Sequence, residues 1–336
     1  MDHQKVKDLL LSIGQAVCNH VYRSLHQNSI DSLSQVAYES AEDTIYHIDR
    51  EVEHIILPML NEMAEELGGI KLIAEGISTD EADFIIPASY PASDVKCCII
   101  IDPIDGTRGI MYNKRSAFFL AAAAPNNGSN LFLEDLEVAV MTELPTSKAY
   151  LSDVLYAQKG EGAYGHQRNL LTDEISKLNI KPSTAQSIVG GFAQFSRFFP
   201  PGRDQLAKIE EELIVRLAGV QEGKALVFED QYISSGGQLY ELLVGHDRFT
   251  ADLRPLLYQQ LRKEGKTGGL SSHPYDLCTV LIAREAGLII TDEKGNALNA
   301  PLNLSHEVSW VAYANKNIQQ EVEPLLQEIL KKSNWI

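Results

Sequence analysis

Two aspartates follow directly after an apolar run of the chain. Residues 97–101 are Cys-Cys-Ile-Ile-Ile, and residues 102–107 read Asp-Pro-Ile-Asp-Gly-Thr. A buried strand that ends in bare carboxylates is unfavourable unless a cation neutralises them. Hard divalent ions such as Mg²⁺ prefer oxygen ligands, so Asp102, Asp105 and the carbonyl of Ile104 are candidate metal ligands. The alternative is a turn with two solvated aspartates.

The residues after the second aspartate are suited to binding an anion. Gly106 permits backbone angles that other residues avoid, and N–H groups at a helix start or in a nest bind phosphate oxygens. The N–H groups of Gly106, Thr107 and Arg108 are therefore candidates for binding an anion such as phosphate. The fork of the Arg108 guanidinium also fits phosphate, although a surface salt bridge is an equally good interpretation.

The motif at residues 102–107 resembles the signature of the inositol monophosphatase-like family of Mg²⁺-dependent, lithium-sensitive phosphatases. That superfamily also contains fructose-1,6-bisphosphatases and 3′(2′),5′-bisphosphate nucleotidases. Other segments resemble family landmarks in the same order. They are residues 43–53, 73–76, 157–164 and 273–287. The resemblance spans about residues 43–292.

This resemblance implies the ligands of a metal centre. It makes Asp102 a bridging ligand, Glu75 a ligand at the metal that holds the water, and Asp105 and Asp276 ligands of a second metal, with the carbonyl of Ile104 beside them. The implied cofactor is Mg²⁺, with two or three ions. Asp276 also fits a simpler role as the cap of a helix over residues 277–285, because aspartate favours that position.

The resemblance also implies catalytic and substrate-binding residues. Thr107, with Asp43 as its partner, and Glu75 would be catalytic, since a hydroxyl alone is a weak base and needs an acidic partner. Gly106, Thr107 and Arg108 would bind the phosphate of the substrate.

These roles imply a phosphoric monoester hydrolase that acts on a small polar phosphate ester by direct attack of metal-activated water. Inositol monophosphate or a sugar phosphate is the first choice of substrate. The alternative is a 3′-phosphoadenosine nucleotide, because Arg108-Gly109 after Thr107 is closer to the nucleotidases. Gly76 stands where the family often has a second Glu, which leaves a non-catalytic metal- or metabolite-binding protein open. Gly269 stands where the family has a sugar-contacting Glu.

The charge and the apolar content of the chain argue against some classes of binding partner. With 336 residues and a net charge of −17, the protein would repel the phosphates of a nucleic-acid polymer. The apolar run at residues 117–124 is too short to span a membrane. The first residues carry no basic region followed by an apolar one, so we expect a cytoplasmic protein. A small-molecule phosphate ester is the expected partner, and a homodimer is expected from the resemblance alone.

Periodicity and the resemblance together predict an α/β (α+β) protein with a layered αβαβα fold and an active site between two domains. Residues 1–180 would form an N-terminal α+β domain with most metal ligands. Residues 181–336 would form a C-terminal α/β domain with the last aspartate ligand and the specificity loops, 234–238 and 254–267. Helices are predicted at residues 6–25, from 49 onwards, 205–218, 275–285 and 318–331. Strands are predicted at residues 70–74, 95–101, 117–124, 136–142, 149–158, 187–190, 225–228, 288–291 and 310–314.

Overall fold

The computed structural model describes residues 1–34, 36–39, 44–128 and 130–336. The helices in these ranges are α1 (His3–Gln27), α2 (Ile30–Leu33), α3 (His47–Ala64), α4 (Thr107–Met111), α5 (Arg203–Ala218), α6 (Ser235–Leu243), α7 (Arg254–Lys263), α8 (Val280–Glu285) and α9 (Lys316–Lys332). The strands are β1 (Val36–Glu39), β2 (Thr44–Tyr46), β3 (Ile70–Ala74), β4 (Phe84–Ile86), β5 (Cys97–Asp105), β6 (Ala117–Pro125), β7 (Val138–Leu144), β8 (Leu151–Gln158), β9 (Gly162–Asn169), β10 (Ile175–Lys177), β11 (Phe192–Phe195), β12 (Asp247–Asp252), β13 (Ile289–Thr291) and β14 (Trp310–Tyr313).

Two sheets carry most of the described strands. The larger has eight strands in the order β10-β9-β8-β7-β6-β5-β3-β4, and the smaller has four in the order β11-β12-β14-β13. In the larger sheet β3 and β5 are parallel, with Ala74 opposite Ile101. Both strands therefore end at the same edge of the sheet, which brings the residues that follow them close together.

The first layer of helices consists of α1 and α3. Apolar residues at helical spacing on α1, such as Val6, Leu10 and Val17, are fully buried against Ile56 and Leu60 of α3 and one face of the larger sheet. Such an amphipathic stripe stabilises a helix by removing its apolar side chains from water.

The middle layer consists of α6 and α8, which lie between the two sheets. Leu239 and Leu242 of α6 and Leu281 of α8 share one buried cluster with Leu120 of β6 and Ala312 of β14. Both faces of the larger sheet are therefore covered, in agreement with the continuously apolar β5 and β6.

The outer layer consists of α5, α7 and α9 on the far side of the smaller sheet. Leu206, Leu257 and Leu326, one from each helix, pack in one cluster with Phe249 and Tyr313 of that sheet. The order of layers is helix, sheet, helix, sheet, helix, which confirms the predicted fold class.

Several element predictions need correction. Residues 187–190 and 225–228 are not strands, and Phe228 forms only an isolated bridge with Phe192. The predicted loops at 234–238 and 254–267 contain the start of α6 and all of α7. The predicted strand at 95–101 continues to Asp105, because β5 resumes pairing with β6 after an irregularity between Asp102 and Asp105. The helix predicted at 275–285 begins only at Val280.

The division into two domains at residues 180 and 181 stays a prediction. The chain leaves the larger sheet at Lys177 and enters the smaller one at Phe192, while the middle hydrophobic cluster contains residues from both halves. Among the described residues, we find no helix whose length and apolar character would suit a membrane span.

Candidate metal and phosphate site

Three carboxylates converge at the end of β5. Among the described residues, Asp102, Asp105 and Asp276 each place a carboxylate oxygen so that these three atoms lie within 4.8 Å of one another. Asp102 is 1% exposed and Asp105 is 6% exposed. The alternative interpretation, a turn with two solvated aspartates, is therefore wrong.

Glu75 joins the cluster from the neighbouring strand. It follows the last residue of β3, and its N–H donates to the carbonyl of Ile101 at 3.2 Å. Its carboxyl group acts on Asp102 both through its charge and through a side-chain hydrogen bond. The parallel pairing of β3 and β5 thus brings together two acids that are 27 positions apart in the sequence.

Asp276 comes from the turn that precedes α8. Its Oδ2 accepts a hydrogen bond from the N–H of His273 at 2.6 Å, and the ring of His273 stacks on that of Tyr275. The residue that precedes α8 as its N-cap is Thr279. Asp276 therefore closes its own turn and does not cap a helix over residues 277–285, contrary to the simpler interpretation.

Burial and repulsion by neighbouring acids raise the pKa values of Asp102 and Asp105. Burial is the main cause for Asp102, followed by the charges of Glu75, Asp105 and Asp276, and together they hold its pKa well above the usual value. Burial and the charge of Asp276 raise the pKa of Asp105 to about 7, although hydrogen bonds from Ser234, Gly236 and Ser235 oppose the rise. The metal-free site therefore holds protons that a bound cation would displace.

Thr107 lies beside this cluster, in contact with an acid on α3. Its hydroxyl is 3.0 Å from Oδ1 of Asp49 and 2.8 Å from the carbonyl oxygen of Ile104, and it can donate to either. Asp43 lies outside the described residues, so its predicted pairing with Thr107 stays a prediction. The acid that the structure places at Thr107 is Asp49.

Gly106 makes the turn from β5 into α4. Its φ of 96° lies in the left-handed region, which only glycine adopts at little cost, and an added Cβ would lie 3.1 Å from Cβ of Ser234. The turn leaves the first N–H groups of α4 without helical acceptors. This arrangement keeps Gly106, Thr107 and Arg108 as candidates for holding an anion.

The second half of the chain provides the opposite wall of the cleft. The guanidinium carbon of Arg108 lies 5.3 Å from the ring centre of Phe199, and that of Arg254 lies 4.4 Å from the ring centre of Phe198. Arg254 is 3% exposed and is paired through Nε and Nη2 with the fully buried Asp252. The predicted role of Arg108 toward substrate stays a prediction, and its side chain contacts this wall from α4 in the first half of the chain.

Gly269 has no room for a side chain. An added Cβ would lie 2.7 Å from the carbonyl oxygen of Pro200 and 2.9 Å from the hydroxyl of Tyr258. The structure therefore excludes an acid at this position without a shift of the backbone.

The donor set suits a hard divalent cation. The cleft is lined by Glu75, Asp102, Asp105 and Asp276, with Ile104 beside them, and oxygen donors of this kind are those that Mg²⁺ binds. Buried carboxylates with raised pKa values are stable as anions only beside compensating positive charge. The residues present therefore fit a divalent metal ion.

Comparison with known proteins gives matches at the level of structure only. No family model matches the sequence, and no curated protein matches it significantly. Extragenic suppressor protein SuhB from Bartonella henselae matches with a TM-score of 0.64 and 15% identity, over 96% of this chain and 99% of that one. Fructose-1,6-bisphosphatase from Leishmania major in its holo form matches with a TM-score of 0.64 and 14% identity, over 96% and 94%.

A third structure is SaIMPase-II with inositol monophosphate bound, with a TM-score of 0.59 and 14% identity, over 98% of this chain and 96% of that one. Identities this low show the fold and not the activity. The chain has the fold of the inositol monophosphatase and fructose-1,6-bisphosphatase structures, as the resemblance of residues 102–107 leads us to expect.

Sequence reasoning missed two residues that touch the predicted site. Asp49 contacts Thr107, and Ser234 donates a hydrogen bond to Asp105 at 2.8 Å. The sequence alone predicts only a helix start for Asp49 and a specificity loop for Ser234. The available signals are that Asp49 is the second aspartate of segment 43–53, six positions after Asp43, and that Ser234 stands just before Gly236-Gly237.

Proposed function

We propose that this protein is a Mg²⁺-dependent phosphomonoesterase that hydrolyses a small polar phosphate ester by direct attack of water. The observation that carries the proposal is the meeting of three carboxylate oxygens within 4.8 Å, beside a threonine hydroxyl that contacts Asp49. A structural neighbour with inositol monophosphate bound supports inositol or sugar phosphates as the first substrates to test.

Each residue has a task that its position supports. Bound Mg²⁺ would lower the pKa of water and balance the charge of the phosphoryl group. Thr107 would accept a hydrogen bond from the attacking water while its own hydroxyl donates to Oδ1 of Asp49. As the water attacks phosphorus and the ester P–O bond breaks, one water proton would pass to Thr107, the threonine proton would pass to Asp49, and the departing alcohol oxygen would take a proton from solvent. The N–H groups of Gly106, Thr107 and Arg108 hold phosphate oxygens, which aligns the phosphorus with the water.

The test compares turnover in Mg²⁺ and in EDTA for inositol monophosphate, a sugar phosphate and a 3′-phosphoadenosine nucleotide. We expect Mg²⁺-dependent release of phosphate, and we expect Asp102→Asn to lose it while keeping the fold by circular dichroism. If the unmutated protein binds Mg²⁺ but hydrolyses no member of a broad panel, it is a non-catalytic metal- or metabolite-binding protein.

A second substrate class, the 3′-phosphoadenosine nucleotides, is favoured by the wall of Phe198 and Phe199. Aromatic rings beside arginines accept a flat base by stacking. Gly269 stands where the resemblance places a sugar-contacting Glu, and the structure leaves no room for that side chain. Comparing kcat/KM for the nucleotide and for inositol monophosphate decides between the two. A clear preference for the nucleotide would reverse our order of substrates.

The resemblance implies two further properties, and we propose them for this protein: inhibition by Li⁺ and a homodimer. A cytoplasmic location is a separate proposal that does not depend on the resemblance. A Li⁺ titration at fixed Mg²⁺, sedimentation of the full chain and localisation of the tagged protein test them separately.

A further inference from the structure

The N-terminal end of α6 holds one oxygen of Asp105. The Ser234 hydroxyl donates to Asp105 Oδ2 at 2.8 Å, and the N–H of Gly236 donates to the same oxygen at 2.5 Å. Ser234 is also the N-cap of α6, since its Oγ accepts from the N–H of Gly237 at 2.8 Å. Ser234 and Asp105 are 4% and 6% exposed, so water does not compete for these bonds.

These two hydrogen bonds occupy the lone pairs of one oxygen of the Asp105 carboxylate. A carboxylate oxygen has about two lone-pair sites for donors, and Oδ2 of Asp105 has two donors. The N–H of Ser235, at the same helix end, also acts on this carboxylate. Neither Ser234 nor Gly236 bonds to Oδ1, so Oδ1 is the oxygen that we assign to a cation. An added Cβ at Gly236 would lie 2.8 Å from Oδ2 of Asp105 and 2.7 Å from Cδ2 of Leu120, so glycine is what lets the helix approach so closely.

We propose that Ser234 is a positioning residue that restricts Asp105 to metal binding through one oxygen and thereby favours Mg²⁺ over Ca²⁺. This inference rests on the metal site of the proposed function. Mg²⁺ takes six ligands in a tight octahedron and suits carboxylates that bind through one oxygen, whereas Ca²⁺ takes up to eight ligands and often binds both oxygens of a carboxylate. Without the hydrogen bond from Ser234, Oδ2 of Asp105 would be more available to a cation. That change should favour Ca²⁺ binding and disfavour Mg²⁺ binding, which needs a fixed octahedral arrangement.

The test titrates MgCl₂ and CaCl₂ separately into the full-length protein and follows binding by calorimetry. We expect Ser234→Ala to weaken Mg²⁺ binding by about tenfold or more, as is typical when a partner of a metal ligand is removed. Ca²⁺ binding should weaken less, so the ratio of the two affinities should fall. Ser234→Thr keeps a hydroxyl and should restore the ratio.

Two control variants separate positioning from stability. Ser235→Ala removes the neighbouring hydroxyl and keeps the backbone N–H that acts on Asp105. Asp2→Ala removes the N-cap of α1, a bond of 3.1 Å from the N–H of Lys5, and so lowers stability at a helix remote from the acids. Both should keep the unmutated ratio of Mg²⁺ to Ca²⁺ affinity.

The outcomes are distinct. If the unmutated protein binds no Mg²⁺, the proposed function and this inference both fail. If it binds Mg²⁺ and Ser234→Ala leaves the ratio unchanged, only this inference fails. A crystal structure of the unmutated protein with Ca²⁺ gives a measurement that needs no variant: we expect Asp105 to bind through Oδ1 alone, and binding through both oxygens would overturn the inference.

Discussion

Replacing Asp105 by asparagine should stabilise the metal-free protein and abolish its response to Mg²⁺. The carboxylate is buried among other acids, and its pKa rises from the ordinary 3.8 to about 7. The folded protein then binds more protons at this site than the unfolded chain does, so stability falls as the pH rises from about 4 to about 7. The amide of the Asp105→Asn variant carries no charge and escapes this penalty.

The size of the effect follows from the same values. The pKa of Asp105 rises by about three units, and each unit corresponds to 1.36 kcal/mol, so the charged carboxylate lowers the free energy of unfolding by about 4 kcal/mol. Coulomb's law gives a similar scale, since two charges at most 4.8 Å apart repel by at least about 3.5 kcal/mol at an effective dielectric constant of about 20. The increase in the free energy of unfolding that Asp105→Asn produces should therefore depend on pH. It should be small below about pH 4, about 2 kcal/mol near pH 5 and about 4 kcal/mol at and above pH 7.

Urea unfolding in EDTA at several pH values measures this difference. Mg²⁺ at about a hundredfold excess over its dissociation constant should then stabilise the unmutated protein by about 2.7 kcal/mol and leave Asp105→Asn nearly unchanged. Asp31→Asn, at an exposed site on α2, controls for the loss of one charge. A free-energy difference that does not vary with pH, or a metal-free variant that is less stable than the unmutated protein at about pH 8, would refute the reasoning.

Three further changes test other parts of the cleft. Thr107→Val should lower kcat about hundredfold through loss of the hydroxyl at Asp49, and Thr107→Ser should retain most of it. Phe199→Leu should raise KM for a 3′-phosphoadenosine nucleotide about tenfold, on the scale of base–aromatic stacking, and leave KM for inositol monophosphate unchanged. Arg254→Met should destabilise the protein by about 3–5 kcal/mol in urea, since it leaves Asp252 buried and unpaired, whereas Arg262→Met at a half-exposed pair should change stability by less than about 1 kcal/mol.

Each of these predictions has a result that contradicts it. Full activity of Thr107→Val would remove the hydroxyl from the mechanism. An equal change of KM for both substrates in Phe199→Leu would mean that the ring shapes the cleft without selecting a base. Equal stabilities of the Arg254 and Arg262 variants would show that the buried pair contributes no more than a surface one.

The strand that carries the acids could be predicted because its signal is local. Five residues of apolar character lead into Asp102, and that pattern is enough to predict a buried strand ending at carboxylates. The exact end could not be predicted, since proline normally stops a ladder. In the structure β5 is irregular between Asp102 and Asp105 and then pairs again with Phe118.

The partner of Thr107 depends on where α3 begins, and periodicity places helix ends only within a few residues. The segment before the helix contains several acids, and the side chain that faces Thr107 is decided by the phase of the first turn. The structure starts α3 at His47, which puts Asp49 in that turn, 3.0 Å from the hydroxyl.

The sequence does not indicate helix α6, and the physical reason is a different one. Two adjacent glycines usually indicate a turn, because glycine weakens a helix by about 1 kcal/mol. In α6 the glycines serve close packing, since a Cβ at Gly236 would collide with Leu120 and one at Gly237 would lie 2.6 Å from the ring of Tyr232. Contacts between distant segments decide this, and a local pattern does not contain them.

The charges in the cleft explain why an acidic chain could still bind a phosphate ester. Among the described lining residues, four carboxylates face two arginines, and Arg254 is already paired with Asp252. In the metal-free state Asp102 and Asp105 hold protons below about pH 7, and the remaining acids still leave the cleft without net positive charge for a phosphate dianion. The chain as a whole, with its charge of −17, repels such an anion. Cations held by the carboxylates would supply the missing positive charge, so the acids whose burial is unfavourable without a metal are the same groups that create the affinity for an anion.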